Sequence, residues 1–328
     1  MGIEMCMAAT YKRKYHYFGR NLDYEISYGE CVVVTPRNFV LEYRNGIVDR
    51  THLAIIGMAS VIDGHPLYFD GTNENGLSMA GLNFPGNAYY SPRRGDASDI
   101  ASFEFIPWIL GRCSNVTEAR KEIESINLTD ECFREDLPPT PLHWIVSDRD
   151  SSITVEFMKD GLHIYDNEVG ILTNNPPFPY HMFNLANHMG ASPKDPENRI
   201  SDTVMMDRYS RGMGSMGIPG DLSSASRFVK AAFTKLNSVS DDTDEGCMTQ
   251  FFHIMDSVQQ QRGCCDVGDG KYEITLYTSC CNTDTGVYYY RTYGNSQICG
   301  VDMHHTDLDG GELYKFPIVE GQHVMMLN

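Results

Sequence analysis

Short apolar and β-branched runs, each cut off by a turn signal, fill the N-terminal quarter of the chain. Residues 7–12 and 15–19 predict a hairpin turning near Lys12-Arg13-Lys14. Cys31–Thr35 reads as a strand stopped by Pro36. Residues 53–62 and 77–84 read as strands bounded by Asp63-Gly64, Asn75-Gly76 and Pro85-Gly86. Two helices follow. Residues 103–110 are apolar apart from Glu104, which predicts burial, with Pro107 tolerated in the first turn. Residues 115–126 carry an Asn or Ser cap and the mixed pattern of a half-exposed helix. Strand character returns at residues 142–146, 153–157, 162–165 and 171–173. A second helix pair is expected at residues 225–236, with Ser224 as N-cap, and at 247–258. Residues 274–279 and Val287–Thr292 close the pattern as a hairpin around Asn282-Thr283-Asp284-Thr285-Gly286.

Strands, two helices, strands, two helices, strands is an order that suits antiparallel sheets covered by helices rather than a parallel βαβ sheet. The expected class is α+β, as a four-layer αββα sandwich of two antiparallel sheets. Neither a repeat nor a Pro/Gly/Ser linker divides the chain, so residues 6–328 are expected to form one domain.

Composition narrows the function classes. A net charge of −18 with no dense Lys/Arg cluster excludes a nucleic-acid surface, and Arg93-Arg94 reads as a solvated pair. No stretch reaches the about 18 apolar residues of a membrane span, and the start lacks a signal-peptide core. Ten cysteines without such a signal predict reduced thiols in a cytosol. Cys264-Cys265 and Cys280-Cys281 are adjacent pairs, a spacing that fits no zinc site, so no metal is expected.

Cys6 carries the chemistry most worth following. As residue one it would hold a thiol and a free α-amine together, and the amine's pKa of about 7.7–8.0 lets it take the thiol proton near neutrality. As an internal residue it is a small buried hydrophobe with no base of its own. Arg20 and Asp23 return beside Cys6 in the first hairpin, where a guanidinium favours a thiolate and a carboxylate holds an ammonium. The same two residues could instead close a turn as an i, i+3 ion pair. Asn83 and Asn174 stand at strand ends, placed either for an oxyanion hole or for turns. Arg227, at the entry to a helix, either points into a site or covers the surface with its stem.

The ordered set of segments resembles the choloylglycine hydrolase family of N-terminal nucleophile hydrolases. Its motifs here are Met5-Cys6, Phe18-Gly19-Arg20-Asn21-Leu22-Asp23, Asp70-Gly71-Thr72-Asn73-Glu74-Asn75-Gly76-Leu77, Ala80-Gly81-Leu82-Asn83-Phe84-Pro85, Leu142-His143-Trp144, Thr173-Asn174 and the run at 222–228. Position by position, the resemblance implies a nucleophile at Cys6, the thiol's arginine at Arg20 and the amine's aspartate at Asp23. It further implies oxyanion residues Asn83 and Asn174, and a second site arginine at Arg227. The implied reaction is hydrolysis of the amide joining a bile acid to glycine or taurine, through a thioester. Met7, Tyr24, Met58, Ile62 and Phe84 are the apolar residues expected to pack the steroid. No cofactor is implied, and the expected assembly is a homotetramer in a bacterial cytoplasm. Residues 1–5 then read as a removed leader or a start misplaced ahead of Met5. Penicillin V acylase and N-acyl homoserine lactone acylase are the alternatives within the family, and Asn83 favours bile salts over the former. An unprocessed steroid-amide-binding protein is the alternative outside enzymes.

Overall fold

The computed structural model describes residues 5–328, so the expected leader lies outside the described residues except for Met5. The first hairpin forms from β1 (Cys6–Lys12) and β2 (His16–Tyr24), with Cys6 opposite Leu22 and Ala8 opposite Arg20. β3 (Cys31–Thr35), β4 (Ile55–Ile62), β5 (His65–Asn73) and β6 (Ser78–Asn83) follow. Past the first helices come β7 (Leu142–Ser147), β8 (Ser152–Met158), β9 (Gly161–Asp166) and β10 (Ile171–Leu172). The C-terminal strands are β11 (Ile274–Asn282), β12 (Val287–Thr292), β13 (Asn295–Asp302) and β14 (Tyr314–Pro317).

These strands make a six-stranded sheet in the order β10-β1-β2-β11-β12-β13 and an eight-stranded sheet in the order β9-β8-β7-β6-β5-β4-β3-β14. Pairing is antiparallel throughout both. Helices α1 (Phe105–Arg112) and α2 (Val116–Ser125) cover the outer face of the eight-stranded sheet. Helix α3 (Phe178–Ala186) lies against α4 (Ser224–Asn237), and α4 and α5 (Asp244–Asp256) cover the six-stranded sheet. The expected αββα sandwich is the observed fold. Each sheet is apolar on both faces because each is covered twice, which is why the strands read as continuous apolar runs.

Local chemistry sets the helix starts. Asn115 caps α2 by accepting from the Glu118 N–H. Ser223, not the expected Ser224, caps α4 by accepting from the Ser226 N–H. The Ser224 hydroxyl is committed elsewhere, to the Asn174 N–H at 2.9 Å.

Two irregularities position the site. Pairing between β5 and β6 stops at Asp70 opposite Ala80, and the strands separate beyond it. On the other side of β5, Met58 pairs with Asp70 and Ala59 with Tyr68, leaving Phe69 as a bulge residue. On β2 the backbones close in at Gly19, where a Cβ would sit 2.1 Å from the Ser279 carbonyl oxygen. Gly19→Ala must push β2 off β11 and displace Arg20 with it. The expected result is a loss of about 1–3 kcal/mol in a denaturant titration, together with reduced activity.

Candidate active site

Strand alternation divides the residues around Cys6 into two groups. Cys6 and Arg20 point to the same face of the hairpin, toward the eight-stranded sheet, since the register sets Cys6 and Ala8 opposite Leu22 and Arg20. The buried Arg20 guanidinium donates through Nη1 to the Phe69 carbonyl at 2.9 Å and to the Gly81 carbonyl at 2.7 Å. Both acceptors lie where pairing is interrupted, one at the bulge and one past the break, so their carbonyls are available to it. Burial would favour losing the Arg20 proton, but the Cys6 thiol beside it, with Tyr277 and Asp70, holds it charged. Asp70 is itself buried and accepts the hydroxyls of Tyr277 (2.8 Å), Tyr288 (2.7 Å) and Ser279 (3.2 Å). Burial raises its pKa against the pull of Arg20.

Asp23, three residues after Arg20, falls on the opposite face. The two therefore do not pair, and the turn-closing alternative is excluded by the strand that carries them. Asp23 is fully buried, accepts the Thr275 hydroxyl at 2.5 Å through Oδ1, and stands 3.7 Å from Arg227 through Oδ2. Its pKa is pushed up to about 6 by burial, opposed by Arg227. Glu273 lies beside it and accepts the Met5 N–H at 2.5 Å. Its own pKa is pushed up to about 8 by burial and by Asp23.

The backbone of Cys6 is held at both ends. Its N–H donates to Asn174 Oδ1 at 2.6 Å, and its carbonyl accepts from Arg227 Nη1 at 2.8 Å. Arg227 Nη2 donates to the same Asn174 oxygen at 2.8 Å, while Asn174 Nδ2 donates to the Asn83 carbonyl at 2.8 Å. The Phe84 N–H bonds Pro141 across the β6–β7 ladder, so alternation turns both the Asn83 N–H and its carbonyl away from β7, toward Asn174. Arg227 is 1% exposed, which excludes the surface alternative for it. Cys6, Arg20, Asp23, Asn83, Asn174 and Arg227 thus converge on one place.

A cavity of about 220 Å³ opens from Cys6 into the gap between β5 and β6. Leu67, Tyr68 and Phe69 wall one side, Gly81, Asn83 and Leu142 the other, and the 137–140 segment closes over it. Of the five residues expected to pack a ligand, Ile62 lines this cavity. The other four do not. Met7 neighbours Cys6 on a strand, so it points the other way, into the helix-covered face, and is wholly buried. Met58 shares the Ile62 face of β4 but lies deeper, enclosed between the sheets. Phe84 stacks flat on His143, with centroids 4.2 Å apart, inside the core. Tyr24 stacks on Tyr28, which is the ring that reaches the cavity.

Sequence reading passed over Asp70, Glu273, Tyr277 and His181, whose Nε2 pairs with the Asn174 carbonyl at 2.9 Å. Asp70 stands within a motif quoted above. Glu273 directly precedes β11, outside the apolar run, and carried no clear sequence signal. Among the described residues no group of three His, Cys, Asp or Glu is arranged to hold a metal, and no helix is long and apolar enough to cross a membrane.

A thiol with an arginine on one side, a clamped backbone nitrogen on the other and an apolar cavity in front, set in an αββα sandwich, is the layout of an amide-cleaving hydrolase. The chain belongs to the choloylglycine hydrolase family of linear amide C–N hydrolases, whose profile matches residues 6–316. It is 54% identical over 314 residues to the bile salt hydrolase/transferase of Lactiplantibacillus plantarum, covering 96% of this chain and 97% of that protein. A crystal structure of a conjugated bile acid hydrolase variant from Clostridium perfringens matches with a TM-score of 0.91 at 35% identity, over 98% of this chain and 100% of that one. The penicillin V acylase of Agrobacterium tumefaciens shares the fold, with a TM-score of 0.73 at 18% identity over 96% and 92% of the two chains.

The cavity wall carries an acid-sensitive element. His65 sits edge-on to Phe103 at 6.0 Å and against Phe133 at 5.7 Å, and both of those rings line the cavity. Burial, aided by Arg44, lowers its pKa from 6.5 to about 4. The folded state thus binds this proton less readily than the unfolded state, and stability falls as pH drops from 6.5 toward 4. The span corresponds to about 3 kcal/mol at the acid end. His65→Phe should flatten the wild-type slope of unfolding free energy between pH 6.5 and 4; an unchanged slope refutes the assignment.

Proposed function

We propose that the chain hydrolyses the amide bond of bile acids conjugated to glycine or taurine, with Cys6 as nucleophile once the residues before it are gone. One observation carries the reading: the Cys6 thiol and Arg20 line a largely apolar cavity, while Arg227 and the Asn174 amide clamp the Cys6 backbone beside it. The names borne by the relatives described above, one of them 54% identical, point to the same substrates.

In this mechanism the Cys6 thiolate, facing the Arg20 guanidinium, attacks the amide carbonyl. The Cys6 α-amine takes the thiol proton and returns it to the departing glycine or taurine nitrogen. Asn174 Oδ1, already accepting from the Cys6 nitrogen at 2.6 Å, orients the amine's lone pair, and the Asp23 carboxylate holds its charged form. An amide NH₂ has two hydrogens. One from Asn174 Nδ2 goes to the Asn83 carbonyl, and the other, with the Asn83 N–H, receives the oxyanion. Water then hydrolyses the cholyl thioester. The same thioester can pass its acyl group to an amine instead, which accounts for relatives named as both hydrolase and transferase.

Assembly as a homotetramer in a bacterial cytoplasm completes the proposal. In its support, apolar side chains stand bare around α3 and the segment after it, including Phe183 (72% exposed), Met189 (83%), Met205 (88%) and Tyr209 (79%). A patch of that kind suits contact between copies.

Purified protein offered taurocholate, glycocholate and penicillin V side by side should release amine from the first two. Faster cleavage of penicillin V would transfer the assignment to the acylase branch. Cys6→Ala should abolish release while leaving the thermal unfolding midpoint in place, and the active protein's intact mass should begin at Cys6.

Asn174→Asp probes the oxyanion role at nearly constant shape. It replaces the donor facing the Asn83 carbonyl by an acceptor, so kcat should fall about 10²–10³-fold, with KM moving far less.

A further inference from the structure

The chain has two tryptophans, and their indole N–H groups are treated differently. Trp108 Nε1 donates to Glu122 Oε1 at 2.8 Å. Trp144 Nε1 is fully buried and has no acceptor among the described residues. Buried donors are almost always paired, so an orphaned one calls for an explanation.

Its surroundings supply one. Trp144 lines the cavity that starts at Cys6. Phe105, Phe157 and Tyr90 pack around its ring, at centroid distances of 4.8, 6.1 and 6.2 Å, which fixes its orientation without offering Nε1 an acceptor. The Nε1 edge faces Gly81, another lining residue, where a Cβ would come within 3.0 Å of the nitrogen. Glycine at that position keeps the donor open. The hydroxyl of Ser60, elsewhere on the wall, is already spent on the Tyr28 carbonyl, and the Arg20 Nη1 hydrogens are on Phe69 and Gly81. Arg20 Nε is also unpartnered, but it belongs to the guanidinium beside Cys6, so Trp144 is the uncharged donor held in reserve on the cavity wall.

We propose that Trp144 Nε1–H is a specificity-determining group that receives a hydroxyl or keto oxygen on the buried part of the acyl group. The inference rests on the amide-hydrolase reading above and adds to it what the pocket selects. A site built to hydrogen-bond a substrate oxygen discriminates against the analogue lacking it, because the buried donor is then left unpaired. An apolar pocket with no such donor tells two such ligands apart only by shape.

Trp144→Phe keeps an aromatic ring and removes the donor. Gly81→Ala keeps the donor and blocks its approach with a methyl group, so the pair guards against a packing artefact in either one. The substrates are glycine conjugates of steroid acids that differ by one hydroxyl at a time. Wild type should favour one hydroxylated member over its deoxy analogue by about tenfold in kcat/KM. Both variants should lose that preference, chiefly through KM for the hydroxylated member. An unchanged preference in both variants, or an equal loss on every substrate, would overturn the proposal. Calorimetric binding of the free steroid acids to the Cys6→Ala protein, with and without Trp144→Phe, requires no amide cleavage. A hydroxyl-dependent affinity abolished by Trp144→Phe would uphold the donor even if wild type cleaved no conjugate. A Trp144→Phe affinity pattern identical to the parent would remove the donor even if conjugates were cleaved.

Discussion

The side-chain amide of Asn174 ties the layers of this protein together. Its oxygen takes the Cys6 N–H from β1 and an Arg227 hydrogen from α4, and its nitrogen gives to Asn83 at the end of β6 in the opposite sheet. Only one orientation of the amide places an acceptor before two donors and a donor before a carbonyl, so the network fixes which end is which. The residue follows a strand only two residues long, too short to hold it firmly. Its own backbone is therefore gripped from elsewhere, the N–H by Ser224 and the carbonyl by His181. A loose amide here would unfasten both sheets from α4 at the one point where they meet the thiol.

Charge is distributed around that tie by strand geometry. Arg20 and Asp23 are three apart on an extended strand, and an odd spacing sends them to opposite faces. Arg20 turns toward the Cys6 thiol, and Asp23 turns toward Thr275 and Arg227. Burying so many ionised groups is costly unless each finds partners. The structure meets that demand with backbone carbonyls for Arg20 and Arg227 and with hydroxyls for Asp70 and Asp23. Burial, and Asp23 beside it, raise the pKa of the remaining carboxyl, Glu273, to about 8, so that it need not be charged at all.

Much of this was legible in the chain. Strands such as Cys31–Thr35 announce themselves through β-branched residues, and the alternation of strand and helix pairs was enough for antiparallel sheets covered by helices, while the four-layer sandwich rested on the family resemblance as well. β5 was hidden because Pro66, Asp70 and Gly71 interrupt its apolar pattern, and those irregularities are what build the site. Helix α3 was hidden behind Pro176-Pro177 and an apolar sequence with no clear polar face. For the site, the six polar members came from the family resemblance, since each taken alone also had a purely structural reading. The ligand wall was the weak point: Met7, Met58 and Phe84 are as apolar as Ile62, and only the direction of each side chain separates core from cavity. Trp144 likewise reads as an ordinary core aromatic until its unmatched nitrogen is seen.

The cavity itself is an interruption of a sheet. It begins where β5 and β6 cease to pair, beneath a bulge at Phe69, so a bound ligand would lie in the plane a ladder of hydrogen bonds would otherwise occupy. Loops can lengthen or bend by small degrees, but strand pairing is gained or lost one residue at a time, in steps of about 3.3 Å. The depth of such a pocket is quantised. Relatives that moved the break by one rung would differ in reach by roughly two carbon–carbon bonds laid end to end, with no intermediate size available to them.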